Sequence, residues 1–70
     1  MDAEQKKFFV AFGKKVRQLR LSKNMTLEDM QDHGFSPQHF QKIETGKKAV
    51  NLYTAHRISI ALGVGLGRLI

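Results

Sequence analysis

Within the four residues Gly34-Phe35-Ser36-Pro37 this chain both stops a helix and starts another. Glycine takes the positive φ that commonly ends a helix. Serine then offers an N-cap oxygen, and proline at the first helical position loses nothing by having no N–H. The remaining periodicity agrees with a helical fold. Phe8 or Phe9, Phe12, Val16 and Leu19 recur at steps of three and four, the spacing of one helix face, and Ser22-Lys23-Asn24 ends that run with poor helix formers. No strand pattern and no internal repeat is present.

The other boundaries obey the same logic. Thr26 as N-cap, with Glu28 and Asp29 in the following turn, predicts a second helix over about 27–33. The Ser36 cap starts a third, over about 37–45, with Phe40 and Ile43 as its apolar positions and Gly46 closing it. Asn51 caps a fourth, marked by Leu52, Ala55, Ile58 and Ala61 or Leu62 and ended by Gly63. A last turn is expected from Leu66 to Ile70, reaching the final residue as it would in a piece of a longer protein. The expected fold class is all-α, a single domain over 1–70.

Composition narrows the partner. Seventy residues sit near the lower size at which one core sustains a fold, and with no cysteine neither disulfides nor thiolate zinc ligands can assist. The absence of cysteine points to the cytoplasm. A net charge of +6 calls for an anionic partner. No apolar run approaches the roughly 20 residues of a membrane span, and Phe8 to Phe12 is too short for a signal sequence, so no membrane role is expected. His33, His39 and His56 lack acids at ligand spacing, and Ser22, Ser36 and Ser59 lack a paired base. Neither a metal, nor a cofactor, nor catalysis is expected.

Two short helices joined by a tight turn form a helix-turn-helix, in which the first helix braces on phosphates and the second enters the major groove of double-stranded DNA. Gln38, His39, Gln41 and Lys42 remain on the outside of that second helix. Glutamine can bond adenine bidentately and lysine can donate to guanine, each good pair contributing about 1–3 kcal/mol of discrimination.

The segments "FGKKVRQLRLSKNMT", "GFSPQHFQKIETGKK" and "NLYTAHRISIALGVGLGRLI" resemble, in order and spacing, the Cro and phage-repressor group of helix-turn-helix regulators, also called the Xre family. "KIETG" is the most specific piece. The resemblance covers Phe12 to Ile70 and implies a compact five-helix bundle with an ion pair between Arg20 and Glu44. It also implies base contact at Pro37, Gln38 and Lys42, with His39 and Gln41 as neighbours, and phosphate contact at Thr45, Lys47 and Lys48. The chain departs from the family pattern in being one residue shorter between Thr26 and Gly34, which predicts a shortened or displaced second helix. Leu27 replaces a glutamine that often clamps a phosphate, and Pro37 a side chain that often reads a base.

Each assignment has a plainer counterpart. Phe8, Phe9, Phe12, Phe35 and Phe40 are expected in the core rather than as stacking platforms for bases. Lys47 and Lys48 are either phosphate contacts or a solvated loop, and His39 is either a DNA contact or an ordinary helix residue. Arg20 and Glu44 form either a surface pair worth about 0–1 kcal/mol or a buried one. Val64, Leu66, Leu69 and Ile70 either join two copies in a homodimer or close the monomer core. The expected function is transcriptional regulation at a palindromic operator. The competing class is a protein-interaction module of antitoxin type that keeps the fold.

Overall fold

The first helix starts further upstream than its apolar stripe. In the computed structural model, which describes residues 1–70, the Asp2 carboxylate accepts from the Gln5 N–H at 2.7 Å and caps α1, Ala3–Ser22. Glu4 lies in the same first turn, where the helix dipole favours an acid. At about 1.5 Å per residue a helix of 20 residues runs nearly the whole 32 Å length of the molecule. Lys23 ends it, and Asn24 beyond it sits at φ 57°.

Thr26 and Asp29 then hold each other reciprocally. The Thr26 N–H donates to Asp29 Oδ2 at 2.7 Å and the Asp29 N–H to Thr26 Oγ1 at 3.2 Å, a capping box. The next element, Glu28–His33, is a 3-10 helix rather than an α-helix. A 3-10 helix rises about 2.0 Å per residue against about 1.5 Å for an α-helix, so these six residues cover more length than they would as α-helix. Gly34 stops it at φ 84°.

Two more α-helices complete the bundle: α2, Pro37–Glu44, and α3, Leu52–Leu62. Ser36 Oγ accepts from the His39 N–H at 3.1 Å, and Asn51 Oδ1 from the Thr54 N–H at 2.7 Å. Gly63, at φ 67°, ends α3. A 3-10 turn at Leu66–Arg68 closes the chain. The fold is all-α, but the five expected α-helices are three, with 3-10 segments in second and fifth place.

The elements meet in one cluster built around Val16, Met30, Phe40 and Ile58, each fully buried. Complete burial of such side chains contributes about 1.5–3 kcal/mol apiece. Leu27 packs against this cluster, which accounts for its apolar character. Leu69 belongs to it as well, 1% exposed, so it is removed from the set offered for dimer contact, and Val64 and Leu66 lean on the same core. Of the expected core phenylalanines, Phe12, Phe35 and Phe40 are buried, whereas Phe8 is 52% exposed and Phe9 is only half-buried, outside the core cluster. The stripe that faces the core takes Phe12 and Val16, and Phe8 falls on the flank of α1.

One close approach in the molecule is between backbones. Gly13, in the middle of α1, lies under the carbonyl oxygens of Ile43 and Glu44, where a Cβ would overlap both. One turn earlier, Val10 lies against Gly46, which sits at φ 75° just beyond α2. Glycine inside a helix is disfavoured by about 0.5–1 kcal/mol relative to alanine, and here the missing side chain is what lets α2 dock.

Candidate functional site

Helical periodicity divides α2 into two sides. Phe40, Ile43 and Glu44 are buried against the bundle, while Gln38, Gln41, Lys42 and the adjoining Thr45 share the opposite, exposed side. Pro37 and His39 are half-buried on its flanks. Pro37 fills the first helical position, has no N–H, and can offer a base only apolar contact.

The buried side is pinned by charge. Arg20 Nε lies 2.6 Å from Glu44 Oε2, and Arg20 Nη2 lies 3.1 Å from Oε1, a bidentate pair with each residue 6% exposed. Arg20 Nη1 also donates to the Met25 carbonyl at 2.7 Å, tying the exit of α1 into the same knot. The hydrogen bond to Glu44 raises the Arg20 pKa, against desolvation that lowers it, with the Coulombic fields of Glu44 and Glu28 adding to the rise. The surface-pair alternative is thereby removed, and α2 is locked to α1 at its carboxyl end.

Beyond that end come the lysines. Lys42, Lys47 and Lys48 are exposed and unpaired, since the ion pair of Arg20 with Glu44 is the only one in the molecule. Thr45 is exposed, but its hydroxyl donates back to the Gln41 carbonyl at 3.0 Å, so it must turn outward to reach an anion. The amides of Thr45, Gly46 and Lys47 are spent on the carbonyls of Gln41, Ile43 and Lys42. Positive charge at this end of α2 therefore resides in flexible ammonium groups, suited to phosphates whose positions vary.

Arg57 is not marked by periodicity, yet it organises the other end of α2. From α3 its Nη2 donates to the carbonyls of His33 and Gly34 at 3.1 and 3.4 Å, and its guanidinium lies 4.5 Å from the centre of the Phe35 ring. It thus satisfies carbonyls left open at the end of the 3-10 helix and braces the corner by a cation–π contact. The available signal was its isolation, as the sole Lys, Arg, Asp or Glu in Leu52–Leu62.

His39 leans on the same Phe35 ring, their centroids 6.1 Å apart. Desolvation lowers its pKa below 6.5, and the positive fields of Lys48, Lys42 and Arg57 lower it further. A folded-state pKa below the unfolded value means that the contribution to stability is present above about pH 6.5 and is lost as pH falls through the folded pKa. The His39 ring is expected to titrate with a midpoint below 6.5 in the free protein, monitored by its NMR chemical shifts. A midpoint at or above the ordinary value would contradict the placement.

The site thus gathers Gln38, Gln41 and Lys42 on one helical face, with Lys47 and Lys48 just beyond it. No helix of the structure is long and apolar enough to cross a membrane. A family model described as helix-turn-helix matches residues 16–69. No curated protein and no solved structure gave a match.

Proposed function

This chain belongs to the helix-turn-helix family of the Cro and phage-repressor type, a family of DNA-binding transcription regulators, and on that premise we propose that it reads a palindromic operator as a two-fold pair of chains. The observation that carries the proposal is the exposed polar face of α2, presented by a helix whose opposite side is locked by Arg20 and Glu44. A helix held this rigidly can keep side chains in register with base edges. Gln38 and Lys42 supply the base contacts, with His39 and Gln41 beside them. Pro37 starts the helix and touches a base at most through its ring. Lys47 and Lys48 hold phosphates, with Thr45 joining them once its hydroxyl turns.

Pairing is required by the short reach of one helix, which covers only a few base pairs. Two-fold symmetry places the second helix about 34 Å away, one turn of duplex. Its location in this proposal is the cytoplasm, where DNA is available.

Selection of bound sites from a random DNA pool tests the proposal directly, because it yields the half-site and the spacing together. Two substitutions then separate the kinds of contact. Lys42→Ala is expected to relax preference at one base pair by about 1–3 kcal/mol, whereas Lys47→Ala should weaken binding to every sequence and flatten the salt slope by about one unit. An unchanged slope would assign Lys47 to solvent.

One observation favours the second reading, an antitoxin-like protein-interaction module. Glu28, Asp29 and Asp32 are exposed on the 3-10 helix that would brace against DNA, and acids there repel phosphate. Affinity indifferent to both sequence and salt would decide for that reading.

A further inference from the structure

One side of α1 takes no part in the core or in the α2 site. Glu4, Phe8, Ala11 and Lys15 succeed one another at steps of four, three and four, so they stack along a single face, and all are exposed. Phe8 keeps 52% of its surface in solvent, and its ring meets that of Phe9 edge-on at a centroid distance of 5.2 Å. Beside this face the chain end comes back. Ile70 is 60% exposed and accepts from Lys15 Nζ at 3.5 Å. Phe8, Ala11, Phe12, Lys15, Leu69 and Ile70 together line an open apolar groove.

We propose that a second copy of this chain occupies the groove, with the two α1 helices antiparallel and Phe8 of each copy seated against Ala11 and Ile70 of the other. The face is its own complement. Reversing it about its midpoint brings the large Phe8 onto the small Ala11 and the acid Glu4 onto the base Lys15, and two-fold symmetry repeats each match. Charge therefore fixes the antiparallel register, since a parallel pairing in register would set Glu4 on Glu4 and Lys15 on Lys15. This inference rests on the two-fold reading of the operator and assigns its seam to α1 rather than to the tail residues alone.

The test uses the full chain in sedimentation across a concentration series. Wild type is expected to show a reversible monomer–dimer equilibrium. E4K and K15E should each raise the dimer dissociation constant about tenfold or more, and E4K/K15E should return it to within about threefold of wild type. Because Lys15 also bonds Ile70, cooperative thermal unfolding is checked for every variant, and E4K carries the argument if K15E misfolds. Sedimentation of wild type as a monomer throughout would overturn the proposal. So would a dimer untouched by E4K, or a double exchange no better than the single ones. Operator footprinting of E4K keeps the two readings apart. Protection of single half-sites would sustain DNA reading with the seam broken, and a wild type that dimerises yet protects no DNA would overturn the operator reading alone.

Discussion

Glu44→Ala is expected to lower stability by about 3–5 kcal/mol, the effect of leaving one member of a buried ion pair without its partner. At about 0.05–0.15 kcal/mol per residue, a chain of 70 residues has about 4–10 kcal/mol to lose, so the substitution removes a large share of its stability and lowers the denaturation midpoint steeply. The loss arises chiefly from the stranded guanidinium. Arg20 presents Nε and Nη2 to the carboxylate inside a region that excludes water, and alanine supplies no acceptor. Glu44→Gln should retain part of the stability, because one carbonyl acceptor survives while the amide group meets donors. Joint replacement by apolar residues of similar volume, R20M/E44L, should recover most of the loss, as exchange of a complete buried pair often does. Chemical denaturation monitored by circular dichroism measures all three. A Glu44→Ala loss below about 1 kcal/mol, the range of exposed pairs, would contradict the buried geometry.

Gly13→Ala is the second large effect, and its sign is opposite to what helix propensity alone gives. In an exposed helix interior the exchange gains up to about 1 kcal/mol. Here the added methyl overlaps the Ile43 and Glu44 carbonyl oxygens, and a main chain cannot step aside as a flexible side chain can. Overpacking costs about 1–3 kcal/mol, occasionally more, and the displaced carbonyls belong to the turn that carries the Glu44 carboxylate. The expected net result is a loss of about 2 kcal/mol or more, with a lowered denaturation midpoint at unchanged slope. The two substitutions disturb one contact region, so Gly13→Ala combined with Glu44→Ala should cost less than the two separate losses together. A stabilised Gly13→Ala protein would mean that α1 and α2 do not meet backbone to backbone.

Local chemistry in the sequence was legible where local chemistry decides. Ser36 with Pro37, Asn51, Gly34 and Gly63 each act within three residues of themselves, and the structure starts or stops a helix at each. The winding of Glu28–His33 was not legible, because periodicity marks which side is apolar and does not by itself separate 3-10 from α over six residues. Leu69 was ambiguous for a related reason. An apolar residue in a glycine-rich tail serves a core or a partner equally well until the tail's course is known. The true start of α1 is hidden from its apolar stripe, because Asp2 begins the helix before that stripe does.

At the site, the outward set of Gln38, Gln41 and Lys42 could be read from the spacing of Phe40 and Ile43. Arg57 and Gly13 could not be assigned from sequence. Their roles lie in contacts with segments more than 20 residues away, His33 for one and Glu44 for the other. A lone charge in α3 and a lone glycine in α1 were the available hints.

The contact of Gly13 with the end of α2 also bears on where adaptability can reside. A side-chain interface can creep by rotamer changes, but a main chain resting on a main chain has no such slack. If α2 lies in the major groove, then, it approaches every site at one fixed pitch, and an ill-fitting groove must be bent or twisted to suit the protein. Base pairs that no side chain touches would then influence affinity through their stiffness. The operator would be chosen partly for how readily it yields.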